Sequence, residues 1–219
     1  MATFPPEHQP LRDDVRMLGA LLGEVLQEQG GDDLFDPVEA ARLAARRRRA
    51  GEADAEDELE GLLFGLEAHA ADAVVRAFSA YFNLVNMAER VHRIRRRRDY
   101  LMREEPQGGS LLDVVTRLKE SGVTLEEIRG VLGRMRVEPV FTAHPTEAIR
   151  RTILRKAQRV ARRLIERIER GPMTPEELAT NTARLRHEVT LTWQTEEHLR
   201  TRPTVADEVE HAIFYLTDV

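Results

Sequence analysis

Leu11, Val15, Leu18, Leu22 and Val25 recur at alternating steps of four and three residues, a spacing that gathers apolar side chains on one face of a helix. The same period runs through almost all of the 219 residues, so the chain is constrained to be mainly α. Punctuation divides it. Gly30-Gly31 ends the first helix, and Asp36-Pro37-Val38-Glu39 supplies an N-cap, a proline at the first helical position and a glutamate for the first turn. That second helix runs into Arg46–Arg49 and stops near Gly51. Glu52, Asp54, Glu56, Asp57 and Glu58 open the next stretch, where a helix dipole favours anions. Between Leu59 and Met102 there is no proline, and the glycines are Gly61 and Gly65, which predicts two helices, the second long. Ser110 with Asp113 caps a helix ended by Gly122, and Thr124 with Glu127 forms a capping box for one reaching Met135. After His144-Pro145 a long helix carries Ile149, Ile153, Ala157, Val160, Leu164 and Ile168 on one face, until Gly171-Pro172. Thr174-Pro175-Glu176-Glu177 starts another that passes Trp193, and a last helix begins near Val205, after Pro203.

One segment breaks the period. Residues 137–142, Val137-Glu138-Pro139-Val140-Phe141-Thr142, read as a short strand, with Pro139 near its start or on a free edge. A lone strand cannot satisfy its backbone groups. Either it pairs with a copy of itself or its partners lie outside this sequence, and the second fits better.

Composition narrows the class. Hydrophobic residues make up 42% and charged residues 32%, enough for a soluble protein with a real core, and the 5% aromatics leave that core to Leu, Val, Ala and Ile. There is no cysteine, which excludes disulfides, thiolate metal sites and a cysteine nucleophile. No apolar run approaches the ~20 residues that cross a bilayer, and the first residues have no secretory pattern. No membrane partner is expected, and the cytoplasm is the expected compartment. A net charge of −5 argues against nucleic acid as a partner of the whole chain. Arg46–Arg49 and Arg95–Arg98 do not change this. Four consecutive helical residues point around most of the circumference, and both runs lie toward helix C-termini, so they read as solvated or ion-paired.

The segment with chemistry in it is Thr142-Ala143-His144-Pro145-Thr146-Glu147, followed by Arg150-Arg151-Thr152. It places a histidine at the end of the strand, just before a helix N-terminus. Pro145 restricts His144 to extended backbone angles and so aims the imidazole. The end of a strand that leads into a helix is where barrel and open-sheet enzymes place catalytic groups. Arg150 and Arg151 sit in the first turns of that helix, where its dipole disfavours cations unless they face an anion. From spacing alone, a hydrogen-bonded core histidine with solvated arginines remains the alternative.

TAHPTE followed by RRT resembles the first active-site signature of phosphoenolpyruvate carboxylases. LRDDVRMLGALLGEVL, YFNLVNMAERVHRIRRRRDYL and LTWQTEEHLRTRPTVADEV also resemble segments of that family, in family order. The resemblance implies a helical N-terminal region over 1–135, then over 136–219 the first strand-helix unit of a parallel (β/α)8 barrel. It implies carboxylation of phosphoenolpyruvate with bicarbonate to oxaloacetate and phosphate, through carboxyphosphate and the enolate of pyruvate. His144 would serve the carboxyphosphate and carbon dioxide half of the cycle, and an imidazole that gains or loses a proton near neutrality suits that work. Arg150 and Arg151 are candidates for substrate or phosphate-effector binding. Magnesium or manganese would be the cofactor, with its ligands outside this chain, as would the mobile Gly- and Arg-rich loop and the main substrate-binding arginines. The remainder of a carboxylase chain and a homotetramer are the implied partners. Leu199 stands where the family commonly has Arg, with Arg200 next, which puts a sugar-phosphate activator site in doubt. No serine precedes Ser79, so the plant-type phosphorylatable serine is absent and the pattern looks bacterial. A non-catalytic helical interaction module derived from the same family is the rival reading.

Overall fold

The computed structural model describes residues 5–138, 151–195 and 204–217, apart from the side chains of His211 and Tyr215. A 3-10 turn, Pro6–His8, precedes eight α-helices among these residues: α1 Gln9–Arg49, α2 Ala55–Phe64, α3 Ala68–Met102, α4 Leu111–Glu120, α5 Leu125–Leu132, α6 Arg151–Glu169, α7 Pro175–Trp193 and α8 Val205–Thr217. No described residue is in a strand. Val137 and Glu138, the described start of the expected strand, have no regular structure and are exposed. The rest of 137–142 lies outside the described residues, so the strand-helix barrel unit is not seen and the described architecture is all-helical. Among the described residues nothing supplies these two with a ladder partner.

The helix starts follow the capping chemistry. Ser110 accepts from the Asp113 amide ahead of α4, and Thr124/Glu127 and Thr174/Glu177 form complete capping boxes ahead of α5 and α7. The Glu127 and Glu177 carboxyls are held below the usual carboxylate range because each accepts from the N-cap backbone N–H and its hydroxyl. The expected start at Asp36-Pro37 is a correction. α1 restarts earlier, at a break where Gly31 takes φ 63 and ψ −165, and Pro37 lies inside the second half. A glycine at this φ/ψ is enough to break the helix. The break turns Leu34, Phe35 and Val38 onto the core, and Leu34 comes so close to Gly30 that a Cβ there would clash with its side chain. Gly31→Ala is therefore expected to cost about 1–3 kcal/mol. The position is sterically open, with nothing within 4 Å of a Cβ, so the loss comes from the backbone alone. Urea unfolding of the variant checks this, and an unchanged midpoint would mean that the break survives without positive φ.

The described residues divide into two compact units. The first takes residues 5–92 and 151–195. Its core gathers Leu18, Leu22 and Val25 of α1, Ala77, Leu84 and Val91 of α3, Val160 and Leu164 of α6, and Leu185 and Val189 of α7. These are the periodic positions of four amphipathic helices meeting along their apolar stripes. Polar contacts fix the rim. Arg186 of α7 pairs with Glu24 at 3.5 Å and with Glu28, both on α1. Arg76 of α3 lies 4.8 Å over the Trp193 ring and donates to the Trp193 carbonyl at 3.0 Å. His8 and buried His92 share a hydrogen bond of 3.2 Å that anchors the N-terminal turn to α3. The arginine run closing α1 is partly ion-paired as expected: Arg47 binds Glu58, and Arg48 lies 3.7 Å from Glu56 at the start of α2.

The second unit takes residues 93–138 and 204–217. It holds the last turns of α3, where Arg96 lies 5.2 Å over Tyr100, then α4, α5 and α8. Phe214 of α8 is buried, whereas α4 and α5 bury no residue.

Candidate functional site

α6 is described from Arg151 onward, and TAHPTE precedes it in the sequence. Arg151 is exposed in the first turn. His144 and Arg150 lie outside the described residues, so of the three expected site residues the geometry places Arg151. What the structure adds is the way this end of α6 is held.

Ile153, Lys156, Val160 and Leu164 all face inward along α6. Lys156 is 8% exposed, and its ammonium donates to the Leu191 carbonyl at 2.6 Å and to Thr195 Oγ1. Thr195 Oγ1 donates in turn to the Leu191 carbonyl at 2.7 Å. Burial pushes the lysine pKa below its ordinary value, against the raising field of Glu188 and with a smaller lowering field from Arg159. Glu188 is also buried, and its Oε2 lies 3.6 Å from Arg159 Nη1 without a hydrogen-bond partner. It lines a groove of about 470 Å³ together with Arg163, Arg184 and His187.

Further along the pair, the Arg167 guanidinium donates to Asn181 Oδ1 at 2.7 Å, to Thr182 Oγ1 at 2.8 Å and to Met17 Sδ at 2.7 Å. Asn181 Nδ2 donates back to the Arg163 carbonyl at 3.0 Å and to Glu166 Oε2 at 3.2 Å. α6 and α7 are thus pinned at both ends. Chemically, Lys156 can fix the distance between the first turns of α6 and the end of α7, the two points from which the chain leaves for residues 139–150 and 196–203. Among the described residues no three His, Asp or Glu side chains converge as a metal cluster.

Lys156 belongs to no recognised motif, yet its signal is in the sequence. It stands three residues after Ile153 and four before Val160, on the buried stripe, in a chain whose basic residues are almost all arginine. A lysine can thread its stem along apolar neighbours and present one compact ammonium to a carbonyl, which a planar guanidinium cannot do in the same space. The depressed pKa sets the sign of a pH effect. Between the folded pKa and the unfolded value near 10.5, the unfolded chain holds a proton that the folded chain has released. Stability from this group therefore rises with pH through that window. Lys156→Met is expected to flatten the rise, read as urea midpoints across the alkaline range. Parallel curves for the two proteins would sink the burial account.

The stretches LRDDVRMLGALLGEVL and YFNLVNMAERVHRIRRRRDYL overlap the core-forming parts of α1 and α3, and LTWQTEEHLRTRPTVADEV runs from the end of α7 into α8. A profile of the family named phosphoenolpyruvate carboxylase matches residues 11–219. The chain belongs to the phosphoenolpyruvate carboxylase family. A phosphoenolpyruvate carboxylase of Xanthomonas campestris pv. campestris is 51% identical over 218 residues, covering 99% of this chain and 24% of its own length. Those of Ralstonia nicotianae and Nitrosomonas eutropha are 44% and 39% identical, over 94% of this chain and 21% and 22% of theirs. The chain thus spans about a quarter of the length of the curated phosphoenolpyruvate carboxylases it matches, and it corresponds to their N-terminal portion. Among the described residues no helix is long and apolar enough to cross a membrane.

Proposed function

We propose that this chain is the N-terminal part of a phosphoenolpyruvate carboxylase that converts phosphoenolpyruvate and bicarbonate to oxaloacetate and phosphate in the cytoplasm. The observation that carries the reading is the family match over 11–219, with TAHPTE and RRT inside it. On this reading residues 1–135 are the helical N-terminal region and 136–219 open the catalytic barrel. His144 works at the carboxyphosphate and carbon dioxide stage, where an imidazole can hold or release a proton. Arg150 and Arg151 meet substrate or effector phosphate, and Lys156 keeps the first turns of α6 in place. A magnesium or manganese ion, held by residues outside this chain, supplies Lewis-acid stabilisation of enolate and phosphate charge. Phosphoenolpyruvate, bicarbonate, the rest of the carboxylase chain and further copies in a tetramer are the partners. Leu199 argues against a complete activator site of the sugar-phosphate kind.

The purified 219-residue chain is expected to form no oxaloacetate from phosphoenolpyruvate, bicarbonate and magnesium, read by coupled reduction to malate. Set in place of the matched segment of a 51% identical relative, it is expected to form oxaloacetate, and His144→Asn to cut kcat by about a hundredfold or more. Turnover by the isolated chain that is lost in His144→Asn would overturn the fragment reading. An unchanged kcat for His144→Asn in the longer protein would overturn the role of the histidine. One observation favours the non-catalytic module instead: the first unit encloses a hydrophobic core without any further chain. Stable folding of the isolated chain together with an inactive hybrid is the result that would select it.

A further inference from the structure

α4 and α5 are short, of ten and eight residues, and each is strongly amphipathic without a buried side chain. On α4, Leu111, Val114 and Val115 share one face and are 85%, 43% and 47% exposed. On α5, Leu125 and Leu132, seven residues apart, share one face with Val131 on its flank, and the three are 63%, 56% and 58% exposed. Helices this short are marginal in water without an apolar face against something else. Both nevertheless begin with a fully formed N-cap. Contiguous apolar faces of this kind mark a surface that another polypeptide covers.

We propose that the apolar faces of α4 and α5 are the docking surface for the chain that follows this segment in a carboxylase-length protein. The inference rests on the functional reading above and deepens it by naming a surface. Its support is the length relationship. In the relatives cited, the matched segment is 21–24% of the protein, so each joins it covalently to roughly three to four times as much further chain. A tethered partner is held at high effective concentration and loses little rotational freedom on docking. A second free copy would lose its full translational and rotational freedom for two short helical faces. The tethered occupant is therefore favoured.

The test compares amide hydrogen exchange in residues 111–120 and 125–132 of two proteins. One is the 219-residue chain alone, and the other is the same chain set in place of the matched segment of the 51% identical relative. Exchange in both helices is expected to slow by about tenfold or more in the longer protein. Leu125→Asp is expected to leave the unfolding midpoint of the isolated chain unchanged and to restore fast exchange in the longer one. Equal exchange rates in the two proteins overturn the proposal. So does protection that rises with concentration in the isolated chain alongside a dimer in sedimentation, which would assign the faces to a second copy. If the hybrid does not fold, the intact relative and its own matched segment serve for the same comparison. Oxaloacetate formation is read separately on the longer protein. Activity with unprotected helices sinks the docking surface alone, and protection without activity supports the surface while the carboxylase reading fails.

Discussion

Leu164→Ala is expected to destabilise the first unit by about 3–5 kcal/mol, the range for deleting a fully enclosed leucine from a core that relaxes only in part. Leu164 is 0% exposed and lies in a cluster to which α1, α3, α6 and α7 all contribute. The loss has two sources, the transfer of the deleted methyl groups and the cavity that their neighbours fail to close. Chemical unfolding of the isolated chain measures it. Leu178→Ala, at a position 44% exposed on α7, serves as the control and is expected to cost far less. A loss below about 1 kcal/mol for Leu164→Ala would mean that α6 is not seated in the core.

Arg167→Ala comes second, at about 2–3 kcal/mol. The guanidinium reaches three partners on two other stretches of chain, Asn181 and Thr182 of α7 and Met17 of α1. Burial lowers its pKa, and the field of Asp14 works in the opposite direction. Truncation leaves Asn181 Oδ1 in a partly buried seam without this donor and removes the cation near buried Asp14. Arg167→Lys separates charge from geometry. A single ammonium cannot reproduce the fork that bonds Asn181 and Thr182 together, so it is expected to recover only part of the loss. Full recovery would assign the role of Arg167 to charge alone.

These two positions differ in how readily the sequence reveals them. Leu164 belongs to the stripe Ile153, Ala157, Val160, Leu164, Ile168, whose helical period by itself marks an inward face. Arg167 stands among many arginines, and nothing local distinguishes it from Arg163 or Arg170. Its role depends on Asn181 arriving opposite it, which is a property of the α6–α7 packing. Lys156 falls between the two cases: its place on the apolar stripe is legible, but its acceptors, Leu191 and Thr195, come from the far end of α7 and the residues just past it. The break in α1 shows how two local signals can compete. Both Gly31 and Asp36-Pro37 announce a boundary, and the glycine prevailed because turning there brings Leu34, Phe35 and Val38 onto the core. The candidate site is carried by a motif, and that motif is read from residue order. His144 and Arg150 lie outside the described residues, so their mutual geometry rests on the family reading.

By itself the sequence determined the helical class, the capped starts of α4, α5 and α7, the inward stripes and membership of the family. Each depends on neighbours within a few residues or on the order of short motifs, so local chemistry suffices. Only the tertiary structure decided which helices share a core, where α1 breaks, which cations are buried and which apolar faces stay open. Those outcomes depend on residues distant in sequence competing for the same space, and the exposed faces of α4 and α5 show where that competition ends without an occupant among the described residues.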